Sequence, residues 1–265
     1  MEIRFVTLEG LVNDIRAKGR YSFGLNEIKH ELGLSGNALN QALFRLKNKN
    51  KIAQIRRGFF AIITPEYSRQ GMIPPNLFID DLMLSLEKKY YVGLFSAAAL
   101  FGAGHQQPME YYVITEKPAL RDIKSQRLIV NFYVKQDWSE NDIIQKKTDA
   151  GYINVSSPEL TALDLLTYGN FGINRVLTIL EELAEEMKPS DLTRVARNYF
   201  VTSSIQRLGY LIDKEIGNEK LAVAVKRALK EKKIQTVQLL KNVRNKGVTD
   251  PDWKININTE LESDL

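Results

Sequence analysis

The sequence has no cysteine and only two histidines, His30 and His105, among its 265 residues. Without cysteine the chain can form no disulfide, no thiolate nucleophile and no cysteine-based zinc site. Two histidines leave little material for a histidine-rich metal site or a proton relay. We therefore predict neither a bound metal nor a cofactor.

Long apolar runs are also missing. The longest runs from Tyr90 to Gly104 and contains several small residues. It is shorter than the roughly 20 apolar residues that a membrane-spanning helix needs. Residues 1–10 mix polar and apolar side chains, so no signal peptide is predicted. These features lead us to expect a cytoplasmic protein without membrane contact.

Catalytic motifs are absent as well. The sequence contains neither the phosphate-binding pattern G-x-x-x-x-G-K-[ST] nor the dinucleotide pattern G-x-G-x-x-G. The serine of "GLFSAAALFG" lacks the flanking glycines of a nucleophile elbow. We expect Asp80, Asp81 and Asp164 to cap helices, anchor them or face solvent, and His105 to lie in an exposed loop. No catalytic residue is predicted, and the protein is not expected to be an enzyme.

Positive charge is concentrated at the start of the chain. Residues 1–65 hold eleven Lys or Arg and five Asp or Glu, a net charge of +6, whereas the other 200 residues carry a net charge of −1. Such asymmetry indicates a module that binds a polyanion, joined to a larger neutral region.

The pattern within residues 1–65 predicts a winged helix-turn-helix domain. Apolar residues recur at helical spacing over Leu8–Lys18, Leu25–Leu32 and Gly36–Asn48. Gly33 suits a left-handed helix end in the short turn between the second and third helices. Strand-forming residues then flank "RRG" in "KIAQIRRGFFAII", which predicts a hairpin.

The remainder reads as a larger mixed domain, so the predicted fold class is α+β. Residues 66–76, rich in Pro, Gly and polar residues, are predicted to form a linker. Residues 77–250 should form an α/β domain that ends in helices from about Ile173 to Asn245. Ser157 and Pro158 fit the start of one of its helices. Residues 251–265 are predicted to be a polar, acidic tail.

The outward face of the third helix is the predicted DNA-reading surface, because Leu39, Leu43 and Leu46 should point inward. Asn and Gln can pair with adenine, Arg with guanine, and Lys or a helix N-terminus with phosphate. The arginines of the hairpin should lie at its tip and meet the DNA backbone or the minor groove. The predicted DNA-binding residues are Ser35, Asn37, Asn40, Gln41, Arg45, Lys47, Lys49, Lys51, Arg56 and Arg57. Phe44 and Asn48 should share this outward face, with Phe44 packed against the hairpin rather than inserted into DNA. The alternative interpretation is that the whole face is merely a solvated surface.

The order of several segments resembles a known family. These segments are "RRGFFAI", "YYVGLFSAAALFGAGHQQP", "EYYVIT", "LIVNFYV" and "YINVSSPELTALDLLTYG". In this order and spacing, over residues 5–185, the chain resembles the AbiE-type abortive-infection antitoxins, also called AbiEi-like transcriptional regulators. The resemblance is weaker beyond residue 185.

The resemblance implies an antitoxin of a type IV toxin–antitoxin system in phage defence. It implies repression of its own operon through double-stranded operator DNA with inverted repeats, by a monomer or weak dimer. It also implies antagonism of a nucleotidyltransferase-like toxin without a stable complex. The residues themselves leave open a winged-helix transcription factor whose larger domain senses a small molecule, and an enzyme that acts on nucleic acid.

Overall fold

The computed structural model describes residues 7–33, 36–104, 110–169, 171–241, 243 and 247–261. The chain divides into two compact units. The first comprises residues 1–91, 114–136 and 145–154, and the second comprises residues 92–113, 137–144 and 155–265.

Three short helices form at the positions that the sequence predicts. They are α1 (Leu8–Ala17), α2 (Leu25–Leu32) and α3 (Gly36–Asn48). The Thr7 hydroxyl caps α1 by accepting from the Gly10 amide at 3.1 Å. Gly33, with a φ of 57°, ends α2 in the left-handed conformation that glycine adopts at low cost.

A three-stranded antiparallel sheet accompanies these helices. Its strands are β1 (Ser22–Gly24), β2 (Ile52–Arg56) and β3 (Phe59–Ile62), in the order β1-β3-β2. The hairpin of β2 and β3 was predicted, whereas β1 was not. Strand β1 pairs with β3, and the rings of Phe23 and Phe60 stack with centroids 5.4 Å apart.

Helices and sheet share one apolar core. Leu39, Leu43 and Leu46 of α3 pack into it with residues of α1, α2 and all three strands. The inward face of α3 is therefore confirmed. Burying such side chains contributes about 1.5–3 kcal/mol each, so the core fixes the direction in which the opposite face of α3 points.

The segment predicted as a linker is packed rather than open. Two 3-10 turns, Pro65–Tyr67 and Pro75–Leu77, lie in it, and Ile73 is buried. Helix α4 (Ile79–Ser85) follows in the same unit, where the Ser22 hydroxyl donates to Asp81 at 2.6 Å. The first unit thus continues past residue 76 without a break.

A six-stranded mixed sheet has most of its residues in the first unit. Its strands are β4 (Tyr90–Val92), β5 (Tyr111–Thr115), β6 (Ile123–Lys124), β7 (Ile129–Val134), β8 (Ile143–Thr148) and β9 (Gly151–Ser156). Their order is β6-β7-β5-β4-β9-β8, with β6 antiparallel to β7 and β4 parallel to β9. The central strand β4 is buried throughout, as expected for its apolar run.

The second unit is largely helical. Its helices are α5 (Leu94–Leu100), α6 (Pro158–Thr167), α7 (Ile173–Glu186), α8 (Pro189–Asn198), α9 (Thr202–Tyr210) and α10 (Glu219–Leu229). Ser157 caps α6 as predicted, since its hydroxyl accepts from the Leu160 amide at 3.3 Å. Helix α6 packs against α5, α7, α8 and α9 and is buried almost throughout. Within the described ranges, no helix is long and apolar enough to cross a membrane.

A small sheet reaches into the segment that was predicted to be a polar tail. Strands β10 (Val237–Gln238), β11 (Val248–Asp250) and β12 (Ile255–Ile257) pair in the order β10-β12-β11. Trp253 and Ile255 are fully buried, and the Trp253 indole donates to Asp213 at 2.8 Å. The predicted tail is therefore wrong at least as far as Ile257, because its apolar residues alternate and belong to the core.

Candidate nucleic-acid interface

The outward face of α3 carries a continuous stripe of exposed side chains. Asn37, Gln41, Phe44 and Asn48 recur at intervals of three and four residues, which places them on one side of a helix. All four are exposed, whereas the leucines on the opposite side are buried. The sequence folds this way because the leucines share the helical period of the core.

Phe44 lies in the middle of this stripe and is 61% exposed. The prediction that it packs against the hairpin is therefore wrong. A large aromatic ring on a polar helix face retains apolar surface that a partner can cover. Its neighbour Arg45 is also exposed, on the flank of the stripe.

The other flank of the stripe faces the hairpin. Asn40 and Lys47 lie there, both exposed, and the Lys47 ammonium donates to the Gln54 side chain of β2 at 3.3 Å. This hydrogen bond holds Lys47 beside the hairpin, at the edge of the α3 surface. Because the bond is exposed to water, it leaves the lysine able to exchange partners at small cost.

Lys49 and Lys51 point toward α1 instead. The Lys51 ammonium is ion-paired with Glu9, and the Lys49 ammonium lies 4.0 Å from the same carboxylate. The hydrogen bond from Lys51 lowers the pKa of Glu9 below its usual value. With Arg16 these residues line a cavity of about 260 Å³. The sequence did not single out Arg16, whose place in the last turn of α1 was the available signal.

The two hairpin arginines occupy different environments. Arg57 is exposed in the turn after β2, where the φ of Gly58 is 79°. Arg56 is the last residue of β2 and half-buried, with its guanidinium 5.7 Å from the centre of the Phe132 ring of β7. Its Nη1 atom is buried without a hydrogen-bond partner among the described residues. Both arginines lie at the hairpin tip as expected, since Arg56 pairs with Phe59 next to the turn, but only Arg57 is exposed there.

Ser35, the remaining predicted DNA contact, lies outside the described residues, and so does His105. Nine predicted residues can therefore be placed. Five lie on the stripe of α3 or on its flanks. Arg57 is exposed at the hairpin tip, Lys49 and Lys51 face α1, and Arg56 packs on Phe132. The exposed set contains amides and cations, which can form hydrogen bonds with base edges and phosphates, and one aromatic ring, which can make apolar contacts.

The acidic residues considered for catalysis hold the structure together. Asp80 accepts from the Tyr90 hydroxyl at 2.8 Å, and burial raises the pKa of Asp80. Asp164 is fully buried and accepts from the Tyr199 hydroxyl at 2.7 Å. In the part of the chain that the structure describes, no group of three or more His, Asp or Glu could hold a metal ion.

The fold is that of a mixed α+β protein seen before. It resembles the crystal structure of the RV2827C protein from Mycobacterium tuberculosis with a TM-score of 0.66 and 17% sequence identity, and the match covers 92% of this chain and 89% of that chain. Residues 91–214 match the family model of the AbiEi antitoxin C-terminal domain. This match supports an AbiEi-like antitoxin family, as the sequence resemblance suggested. A search of curated proteins finds no match.

Proposed function

We propose that this antitoxin represses its own operon by binding double-stranded DNA through residues 7–63, and that it opposes a nucleotidyltransferase-like toxin. The observation that supports DNA binding best is the exposed stripe of α3, which lies in the most basic quarter of the chain. The antitoxin role rests on the family of residues 91–214.

The proposed DNA-binding domain is a winged helix-turn-helix. Its support is the element order of three helices and a hairpin, with α2 ending at Gly33 and α3 beginning at Gly36. In this class the second helix of the pair enters the major groove. Helix α3 would then be the recognition helix, and the hairpin of β2 and β3 would be the wing.

Each exposed side chain has a chemical task in this proposal. Asn37, Asn40 and Gln41 would read adenine edges, and Arg45 would read guanine. Lys47 and Arg57 would neutralise phosphates on either side of the groove, together with Ser35 at the start of α3. Lys49 and Lys51 would act at the margin, because Glu9 already compensates part of their charge.

The rest of the proposal concerns partners. Inverted repeats need two copies of the module, from a weak dimer or from two monomers bound side by side. The protein would be cytoplasmic and non-enzymatic, and it would oppose the toxin without forming a stable complex. Its larger region would therefore act by binding rather than by catalysis.

DNA binding is tested with the full-length protein and the DNA upstream of its own gene in a gel-shift assay. Arg45→Ala should weaken binding by about 1–3 kcal/mol and relax the preference at one base position. Arg57→Ala should weaken binding to all sequences alike. Lys220→Ala, an exposed change in the second unit, is the matched control. Equal binding by wild type and both arginine variants would exclude this surface.

Toxin antagonism is tested by co-expression with the neighbouring gene. We expect that gene to arrest growth alone and to be harmless beside the full-length protein, including the Arg45→Ala variant at an independent promoter. Growth arrest that persists despite wild-type protein at equal level would contradict the antitoxin role of this chain.

A further inference from the structure

The second unit contains a cavity that the proposed function does not use. Its volume is about 320 Å³, and α6, α7, α9 and the segment after β10 surround it. Much of the lining is apolar and includes Leu166, Phe171 and Val176. Ligand pockets range from roughly 300 to 1,000 Å³, so this volume suits a small molecule.

Two cationic side chains project from different elements into the apolar lining. Arg207 of α9 is only 7% exposed, and its Nε atom donates to the Gln238 carbonyl at 2.9 Å. Lys241, beyond β10, donates to the Thr167 carbonyl at 3.1 Å. Both hydrogen bonds use neutral backbone acceptors, so neither compensates the positive charge.

Negative charge is missing from the lining. Among the described residues around the cavity there is no carboxylate. Burial lowers the pKa of Arg207 below its usual value. Burial, and secondarily repulsion by Arg207, lowers the pKa of Lys241 to about 8. Two like charges thus share a partly dry site, which is unfavourable unless an anion enters it.

A purely structural role explains only part of this arrangement. The two side chains do attach β10 to α9 and the segment after β10 to α6 through backbone carbonyls. A neutral amide or hydroxyl could donate the same hydrogen bonds without the cost of burying two positive charges. The choice of two cations beside a cavity therefore favours an anionic ligand.

We propose that this cavity binds a small molecule with an apolar body and one phosphate or carboxylate group, held by Arg207 and Lys241. The anion would accept charge-assisted hydrogen bonds from both cations. The apolar body would lie against Phe171 and the neighbouring aliphatic side chains. The proposal of this site rests neither on DNA binding nor on toxin antagonism.

The probes are phenyl phosphate, benzoate and benzyl alcohol, each titrated into the full-length protein by calorimetry at fixed ionic strength. We expect saturable one-to-one binding of at least one anion and no measurable binding of the alcohol. Binding of phenyl phosphate alone, or of benzoate alone, would support the proposal and identify the anionic group. Failure of both anions to bind, or binding of the alcohol as tightly as of either anion, would overturn it.

Lys241→Met removes the charge and keeps much of the side-chain length, so it should weaken binding of the anion at least tenfold. Lys241→Arg should retain binding, and Lys220→Met, on the exposed side of α10, should bind like wild type. Thermal unfolding verifies that each variant is folded. Undiminished binding by folded Lys241→Met would refute the assignment, and DNA binding by the same samples is scored separately.

Discussion

Phe44 and its neighbour Leu43 lie on different faces of α3, one on the proposed recognition face and the other on the buried face. It follows Leu43 in the chain, yet Leu43 is 5% exposed and Phe44 is 61% exposed. Adjacent positions on a helix point about 100° apart, so one enters the core and the other enters solvent. An aromatic ring in a major groove can contact the methyl group of thymine.

Phe44→Ala and Leu43→Ala should therefore have opposite effects. Phe44→Ala should change the free energy of unfolding by less than about 0.5 kcal/mol, because the ring has little contact with the core. It should weaken DNA binding and abolish the preference for thymine over uracil at one site. Leu43→Ala should cost about 2–5 kcal/mol of stability. Urea unfolding and gel shifts measure both, and unchanged DNA affinity in Phe44→Ala would contradict the proposed groove contact.

Lys241 should make stability depend on pH in a defined window. Its folded pKa of about 8 lies below the ordinary value of 10.5, so the unfolded chain binds more protons between these values. The folded state is therefore penalised below pH 8 and relieved as the pH rises toward 10.5. Lys241→Met should be more stable than wild type at pH 7, and the difference should shrink at about pH 9.5. A difference between their urea midpoints that does not change with pH would contradict this assignment.

At the scale of elements, the N-terminal helices were predictable from the sequence and several short strands were not. In α1, α2 and α3 the apolar residues recur at the helical spacing of three or four residues. Ser157 and Pro158 indicate the start of α6. Strand β1 is three residues long and is defined by pairing with β3, far along the chain. Its sequence "SFG" therefore resembles a break between helices. Strand β12 did leave a signal, the alternation of Trp253, Ile255 and Ile257.

The functional surface was predictable to a similar degree. Which side of α3 faces outward follows from its leucines, so the exposure of Asn37, Gln41 and Arg45 was accessible from the sequence. The direction of Arg56 was not, because Phe132 lies on a strand about 75 residues later in a different sheet. The cavity beside Arg207 was also hidden, since its lining comes from separate helices and the C-terminal segment.

Gly209 of α9 tests how the C-terminal sheet is attached to the helices. A Cβ at this position would lie 1.9 Å from the ring of Trp253. An alanine normally gains up to about 1 kcal/mol over glycine within a helix. Here the clash with the Trp253 ring should outweigh that gain, so Gly209→Ala should destabilise the protein by about 1–3 kcal/mol. Gly36→Ala, where a Cβ meets nothing within 4 Å, is the control. Thermal unfolding that shows Gly209→Ala as stable as wild type would refute the packing.

At the scale of the whole molecule, the excess positive charge and the segment matched to the antitoxin family lie in different parts of the chain. The net charge of +6 lies in residues 1–65, whereas the family match covers residues 91–214, which have no such excess. Electrostatic attraction to DNA should therefore depend on the first quarter of the chain. Residues 91–214, without this excess charge, should contribute little to that attraction.

The salt dependence of DNA binding should show that the cations of the first quarter of the chain contact the phosphates. Each phosphate contact contributes about −0.9 to the slope of log affinity against log salt concentration. Replacing Lys47 and Arg57 together with alanine should therefore reduce the slope by about 2 for each bound copy. Lys220→Ala should leave the slope unchanged. Fluorescence anisotropy over a salt series measures it, and identical slopes in all proteins would show that these cations do not meet phosphate.

The path of the chain between its two units has a consequence for how the protein can be divided. The backbone passes from one unit to the other five times, at residues 91/92, 113/114, 136/137, 144/145 and 154/155. No single cut releases two intact halves, so a fragment that ends near residue 65 or 76 leaves part of the first unit behind. Recombination between relatives cannot exchange the whole first unit at one junction, because that unit is built from three separate stretches of the chain. The parts of the first unit beyond residue 91 would therefore be inherited together with the second unit.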